Sequence, residues 1–135
     1  MSKNKTNQHL RFLACAEQLA EFSDVPRFKY GAVLVFNKTI ISSGHNSTKT
    51  HPIQASLNKK RSPGKQNRSF CHAEVATLSK VRNVPEGSTL YITRTGGDGW
   101  QMARPCEACM ALIKQKAIRR IVYTTPNGFA EEVIL

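Results

Sequence analysis

The hydrophobic positions follow two different periods along the chain, and each period predicts one type of element. Over Asn7–Phe22 the apolar side chains recur every three or four residues, as on one face of an amphipathic helix. Two further helices are predicted at His72–Val81 and Cys106–Ala117. Short apolar runs rich in β-branched and aromatic residues instead predict strands. These strands cover Tyr30–Phe36, Thr39–Gly44, Thr89–Thr93 and Ile118–Thr124.

The predicted elements follow the order α-β-β-α-β-α-β, which favours an α/β sandwich. Asn37 and Lys38 form a plausible turn, so the first two strands are expected to be a hairpin. A helix connects the last two strands, and we therefore expect them to be parallel within a mixed sheet. At 135 residues the chain has room for one core, which predicts a single domain over residues 1–135. After the last strand, Pro126 and Gly128 are expected to turn the chain into a short tail.

A long polar segment, Asn46–Phe70, separates the second strand from the second helix. It contains Pro52, Pro63 and Gly64 and is interpreted as a loop. A loop of this length in a small domain is usually functional or mobile. Its basic residues, here together called the basic segment, are Lys59, Lys60, Arg61, Lys65 and Arg68. They could hold a nucleotide phosphate.

Charge and composition narrow the function classes. Twenty Lys and Arg oppose nine Asp and Glu, a net charge of +11 that favours an anionic partner, although a solubilising surface charge explains it equally well. No apolar run approaches the ~20 residues of a membrane span. No apolar run of signal-peptide type follows the N-terminal sequence MSKNKTNQHL. We therefore expect a soluble, cytoplasmic protein without a membrane partner.

Two short clusters, each at the start of a predicted helix, carry the candidate chemistry. The second cluster places Cys106 and Cys109 three residues apart on one helical turn, so both side chains project the same way. The exposed N–H groups and the helix dipole stabilise thiolates, the form that binds zinc. If the two helices begin side by side, His72 joins the thiolates. That set has three protein ligands and an open fourth position, the pattern of catalytic zinc.

Glu74 lies two residues after His72 and is the candidate catalytic residue, since it is not needed as a ligand. A carboxylate near zinc-bound water can take the proton of that water and hand it to a leaving amine. A lone CxxC pair is often structural or redox-active, and His-x-Glu alone occurs by chance. Together, H-x-E at one helix start and P-C-x-x-C at the next form the signature of zinc deaminases that act on nucleobases.

With its HAE motif at residues 72–74 and its PCxxC motif at residues 105–109, the chain resembles the cytidine and deoxycytidylate deaminase superfamily. The likeness extends from the first helix to Thr124. It implies a three-layer α-β-α sandwich, a Zn²⁺ cofactor and hydrolysis of a cytosine base to uracil with release of ammonia. It also implies that Asn46 contacts the sugar or base of the substrate, that the backbone of Ala73 contacts the base, and that the protein is a homo-oligomer.

Several cytosine compounds remain as possible substrates. A free nucleotide such as deoxycytidylate is favoured, and a deaminase of single-stranded DNA or RNA is the main alternative because of the positive charge. Arg104 precedes the PCxxC motif where tRNA adenosine deaminases typically carry glutamate, which argues against adenosine. A non-catalytic, zinc-stabilised binding module is a further alternative, but such a module has no use for Glu74.

Four other residues have both a functional and a structural interpretation. His51 could bind a second metal, but a solvated loop histidine is favoured. Trp100 could stack on a base or pin the glycine-rich stretch around it, and the two interpretations are weighed equally. Cys71 is expected to point away from the ligand set. Cys15 is expected to be a buried thiol on the first helix.

Overall fold

Helices cover both faces of one six-stranded mixed sheet in the computed structural model, which describes residues 3–49, 51–61 and 70–134. The helices are α1 Lys3–Ala20, α2 Pro52–Arg61, α3 Ala73–Leu78 and α4 Glu107–Gln115. The strands are β1 Lys29–Phe36, β2 Thr39–His45, β3 Thr89–Gly96, β4 Gly99–Gln101, β5 Arg120–Thr125 and β6 Gly128–Val133. Over the described ranges, no helix combines the length and the apolar character needed to cross a membrane.

The strands are arranged in the order β2-β1-β3-β5-β6, with the short β4 paired to β3. β1 pairs antiparallel with both β2 and β3, so the predicted N-terminal hairpin is present. Asn37 and Lys38 form its turn with positive φ angles of 49° and 63°. β3 and β5 are parallel, as predicted from the helix between them. β6 then returns antiparallel to β5.

Alternate residues of the central strands face opposite helical layers, because side chains alternate along a strand. Val33, Tyr91 and Val122 pack with Phe12 and Leu13 of α1. The residues between them on each strand pack against α3 and α4 on the other face; they are Ala32, Leu34, Leu90, Ile92, Ile121 and Tyr123. The predicted α-β-α sandwich is therefore confirmed.

Two glycines allow the helices to approach the sheet closely. A Cβ on Gly31 of β1 would lie 1.9 Å from the carbonyl oxygen of Ala16 and 2.8 Å from the backbone nitrogen of Ala20. Only glycine lets α1 sit this close to β1. Facing the other helical layer, a Cβ on Gly44 of β2 would lie 2.9 Å from Oγ1 of Thr77 in α3.

The polar segment after β2 contains a helix that the sequence did not predict. Its interpretation as a loop is wrong for Pro52–Arg61, which forms α2 and packs against α4. Pro52 argues for a loop when the sequence is taken alone, but proline also suits the first turn of a helix. Nδ1 of His51 accepts a 3.1 Å hydrogen bond from the backbone N–H of Ile53. His51 therefore has a structural role at the start of α2.

The C-terminal residues form an edge strand where the sequence predicted a tail. After the turn, β6 pairs with the whole of β5. Glu131 and Glu132 resemble a solvated tail in the sequence, but an antiparallel edge strand can keep one face in water. The glycine-rich stretch similarly forms the β3–β4 hairpin, in which Gly99 has a φ of 110°. β4 and β6 have weak apolar patterns of their own, and they form strands because they pair with β3 and β5.

Replacing Gly31 with alanine should destabilise the fold, because the added methyl group meets backbone atoms of α1. We expect the free energy of unfolding to fall by about 1–3 kcal/mol, the range for overpacked cores. Urea denaturation measures this change. Gly97→Ala is the matched control, since a Cβ at Gly97 meets no described heavy atom within 4 Å. Equal stability of the two variants would contradict the close packing of α1 on β1.

Candidate active site

The two helices that carry the sequence motifs, α3 and α4, begin beside each other on one face of the sheet. His72 is the N-cap residue of α3 and Cys106 is the N-cap residue of α4. Both have an extended backbone, with φ and ψ of −77° and 154° for His72 and −70° and 171° for Cys106. Neither side chain caps its own helix with a hydrogen bond. The side chains of His72 and Cys106 can therefore point toward each other and toward Cys109 of α4.

The ligand atoms of these three side chains have the spacing of a zinc site. Nδ1 of His72 lies 3.2 Å from Sγ of Cys109 and 3.7 Å from Sγ of Cys106. Zn–N bonds of ~2.0 Å and Zn–S bonds of ~2.3 Å at tetrahedral angles put ligand atoms roughly 3.5–3.8 Å apart. The three residues, here called the metal-ligand group, therefore fit one zinc ion. In the described part of the chain, no other set of three His, Cys, Asp or Glu side chains is grouped closely enough.

The two thiols of the metal-ligand group differ in their pKa values. A hydrogen bond from the Cys109 thiol, helped by one from His72, lowers the pKa of Cys106 to about 4. The same sulfur–sulfur hydrogen bond, with burial adding to it, raises the pKa of Cys109 well above its usual value. Zinc binds thiolates, so its binding displaces the proton of the Cys109 thiol. The donor set of one imidazole and two sulfurs is the chemistry that zinc prefers.

Glu74 occupies the second position of α3, and the residue is only 4% exposed. Burial raises the pKa of its carboxyl above the usual value, although the nearby His72 acts in the opposite direction. Glu74 lines the same cavity as His72 and Cys106. The site therefore places one buried carboxyl beside three ligands, an arrangement suited to metal-assisted hydrolysis.

A cavity of about 270 Å³ opens onto the metal-ligand group. Glu74 and Asn46 are buried at its floor, whereas Phe28 and Phe70 are half-exposed at its rim. Its volume is close to the lower end of the ~300–1,000 Å³ typical of small-molecule pockets. The lining residues are Val25, Phe28, Tyr30, Asn46, Phe70, His72, Glu74, Arg104 and Cys106.

Asn46 is fixed by hydrogen bonds at both ends of its side-chain amide. Its Oδ1 accepts from the backbone N–H of Tyr30 at 3.0 Å, and its Nδ2 donates to the carbonyl oxygen of Phe28 at 2.5 Å. These bonds hold the start of β1 against the cavity, and one amide hydrogen remains for a ligand. Ala73 begins α3 with a fully buried side chain, so only its backbone could face a ligand. The substrate contacts of Asn46 and Ala73 stay predictions.

Two polar residues support the site without belonging to either motif. Gln54 of α2 is fully buried, and its Oε1 accepts a 3.0 Å hydrogen bond from the backbone N–H of His72. Glu132 of β6 accepts a 2.7 Å hydrogen bond from Nε of Arg104, which lines the cavity. Sequence reasoning missed both residues. The one available signal for Gln54 is Pro52, a possible helix start two residues earlier; Glu132 has none.

The other candidate residues have structural contacts. Trp100 donates a hydrogen bond from Nε1 to Glu17 of α1 and packs on the sheet face opposite the cavity. It therefore pins the β3–β4 hairpin, and the base-stacking interpretation is wrong. Cys71 is buried, and its thiol faces the carbonyl oxygen of His72, outside the metal-ligand group as expected. Cys15 is only partly buried, which corrects the expectation of a buried thiol.

The basic segment is described only in part. Lys59 lies in α2 with an exposed side chain. The side chains of Lys60 and Arg61, and the whole of Lys65 and Arg68, lie outside the described residues. A role of this segment in holding a phosphate stays a prediction.

Comparison with known sequences gives a family match over most of the chain. The model of the family described as the cytidine and deoxycytidylate deaminase zinc-binding region matches residues 6–125. This range includes the metal-ligand group and Glu74. The deoxycytidylate deaminase of Mycobacterium phage D29 is 32% identical over 124 aligned residues, and the match covers 83% of this chain and 90% of that protein.

Solved structures share the fold. The dCMP deaminase of cyanophage S-TIM5 in its apo form has a TM-score of 0.63 and 23% identity, covering 93% of this chain and 86% of that one. The same enzyme in complex with dCMP and dUMP has a TM-score of 0.62 and 22% identity, covering 93% and 84%. RibD of Acinetobacter baumannii in form 1 has a TM-score of 0.57 and 21% identity, covering 90% of this chain and 29% of that one. At these identities the likeness shows the fold alone.

We expect the purified protein to contain about one zinc ion per chain, bound through one nitrogen and two sulfur atoms. Cys106→Ala should lose the metal and lower the Tm together, because metal binding is coupled to folding. Cys15→Ala removes a thiol on the opposite face of the sheet and should keep both properties. Elemental analysis, X-ray absorption and thermal unfolding measure these effects. Full zinc content in Cys106→Ala would rule out this ligand set.

Proposed function

This chain belongs to the cytidine and deoxycytidylate deaminase family and is a zinc-dependent deaminase, and we propose that it converts deoxycytidylate to deoxyuridylate with release of ammonia. The observation that carries the proposal is the metal-ligand group sharing one cavity with the buried carboxyl of Glu74. The phage D29 relative is named a deoxycytidylate deaminase, which supports the nucleotide as substrate. A cavity of about 270 Å³ is close in size to the pockets that bind small molecules.

In the proposed mechanism, Nδ1 of His72 and the thiolates of Cys106 and Cys109 hold the zinc ion. When bound, zinc lowers the pKa of a water molecule and so supplies the hydrolytic nucleophile near neutral pH. The N-cap positions of His72 and Cys106 fix the ligands relative to the two helices. Gln54 adds to this by holding the backbone of His72. These residues therefore fix the place in the cavity where the reaction occurs.

Glu74 is the proposed proton carrier. Its carboxylate takes one proton from the attacking water and delivers it to N3 of the base. It then passes the second proton of that water to the exocyclic amine, which leaves as ammonia. One C4–O bond forms, one C4–N bond breaks, and one water molecule is consumed. The burial of Glu74 keeps bulk water away from this proton path.

The wall of the cavity orients the base in this proposal. Phe28 and Tyr30 line the cavity. The guanidinium of Arg94 lies 4.7 Å from the ring centroid of Phe28 and 5.5 Å from that of Tyr30, which steadies both rings by cation–π attraction. The backbone of Ala73 and the side chain of Asn46 are the proposed polar contacts to the base or sugar. The apolar rings hold the plane of the base, and these polar groups set its orientation.

We further infer that the protein acts in the cytoplasm as a homo-oligomer of one deaminase domain. The homo-oligomer rests on the resemblance to the deaminase superfamily, and single large apolar side chains near both edges of the sheet are available for contact between copies. Phe22 is 73% exposed and Val133 is 62% exposed. The cytoplasmic location rests on composition.

The proposed substrate predicts a clear order of activities. Ammonia release should be compared for cytosine, cytidine, deoxycytidine, dCMP, dCTP and a single-stranded oligonucleotide. We expect kcat/KM for dCMP to exceed the others by about tenfold or more, the effect of one or more charge-assisted hydrogen bonds. A polymer deaminase would instead act on the oligonucleotide and lose activity steeply as salt rises. Activity on the oligonucleotide alone would refute the proposal.

Glu74→Ala should separate the chemistry from the fold. We expect kcat to fall by about 10²–10⁴-fold, the range for a lost general acid–base group. Zinc content should stay intact, because Glu74 is not among the proposed ligands. The matched control is Glu107→Ala, which removes an exposed carboxyl in the first turn of α4. If Glu74→Ala turned over dCMP as fast as Glu107→Ala, Glu74 would not be the proton carrier.

A further inference from the structure

A cationic side chain, Arg104, lines the cavity at its rim. Its side chain is 52% exposed, whereas Glu74 at the floor is 4% exposed. Arg104 directly precedes Pro105 and Cys106, so its backbone is tied to the start of α4 and to the metal-ligand group. The cavity therefore has a carboxyl at its floor and a guanidinium at its mouth.

Glu132 of β6 holds this guanidinium through two hydrogen bonds. Nε of Arg104 donates to Oε2 of Glu132 at 2.7 Å, and Nη2 donates to Oε1 at 3.2 Å. Oε2 also accepts a 2.6 Å hydrogen bond from the hydroxyl of Tyr123 in β5. A guanidinium has five N–H donors, so this pair fixes its plane and leaves other donors for an anion.

The chemistry of the proposed substrate directs its phosphate to the same rim. C4 of the cytosine ring must lie at the floor, close to Glu74 and the metal-ligand group. N1, which carries the sugar, is on the opposite side of the six-membered ring from C4. The sugar and its 5′-phosphate therefore extend toward the cavity mouth, where Arg104 lies.

We propose that Arg104 binds the 5′-phosphate of the substrate and so selects nucleotide over nucleoside, with Glu132 as a positioning residue that orients the guanidinium. This inference rests on the proposed function. The rigid fork of arginine matches the oxygens of a phosphate. Arg104 thereby takes the role that the sequence suggested for the basic segment. Because Glu132 offsets part of the charge of Arg104, directed hydrogen bonds carry the selectivity.

The test compares Arg104→Met with Arg120→Met. The side chain of Arg120 is about as exposed as that of Arg104 and also faces a glutamate, with Nη1 4.0 Å from Oε1 of Glu131, but it does not line the cavity. We expect Arg104→Met to raise KM for dCMP by about 10–100-fold, as for a lost charge-assisted hydrogen bond, with kcat within about twofold. Deoxycytidine should react as with the wild type. Arg120→Met should leave KM and kcat unchanged for both dCMP and deoxycytidine. Arg104→Lys should keep part of the affinity for dCMP that Arg104→Met loses, because lysine keeps the positive charge but lacks the forked guanidinium.

Glu132→Gln tests the positioning role separately. This change makes the cavity mouth more positive, so a purely electrostatic effect would lower KM for dCMP. If Glu132 orients the guanidinium, KM for dCMP should instead rise severalfold while kcat for deoxycytidine stays the same. A lower KM in Glu132→Gln would overturn the positioning role.

Binding of the product keeps the test independent of turnover. Calorimetric titration with dUMP and with deoxyuridine should show that Arg104→Met weakens the binding of dUMP alone. The loss of affinity should be similar in size to the change in KM for dCMP. Equal losses for dUMP and deoxyuridine, or no loss for dUMP, would overturn the inference. A higher KM for dCMP in Lys59→Met together with normal dUMP binding in Arg104→Met would place the phosphate at the basic segment. If the wild type released no ammonia from dCMP, the proposed function would fail, while these titrations would still decide the role of Arg104.

Discussion

The side-by-side start of α3 and α4 is the constraint on which the site depends. His72 and Cys109 are 37 positions apart in the chain, yet Nδ1 and Sγ lie 3.2 Å apart. A zinc site tolerates deviations of only about 0.2 Å in its bond lengths, so a small shift of either helix would separate the ligands. The parallel pairing of β3 and β5 sets this geometry. α4 lies in the crossover between these strands and must pack on the same face as α3.

Contacts outside the two motifs keep α3 in its place. The backbones of Ser47 and Cys71 exchange two hydrogen bonds of 2.9 Å, which ties the chain after β2 to the residue before His72. Gln54 holds the backbone of His72 itself. Gly44 lets α3 approach β2. These contacts and the metal-ligand group restrain the same helix start, so zinc binding and folding stabilise each other.

In the proposed function, proton transfer and phosphate recognition are separated along the depth of the cavity. At the floor, the low exposure of Glu74 and its position beside His72 suit proton transfer to a base that has left bulk water. At the mouth, Arg104 is half-exposed in the segment before α4, and its partner Glu132 is partly exposed on the edge strand β6. If Arg104 binds the phosphate as proposed, substrate preference can change at the mouth without disturbing the groups proposed to carry the reaction.

The sequence by itself determined the chemistry of this protein, the family to which it belongs and the main layers of its fold. Cys106 and Cys109 share one helical turn, and the apolar periods of α1 and β1 are equally local, so each could be predicted from neighbouring residues. Only the tertiary structure decided which distant side chains meet at the site. α2 and β6 owe their conformations to packing and pairing with α4 and β5, and their own apolar patterns are weak. The site contacts of Gln54 and Glu132 could therefore not be predicted from the sequence. The hydrogen-bond partner of a polar side chain depends on which distant parts of the chain the fold brings together.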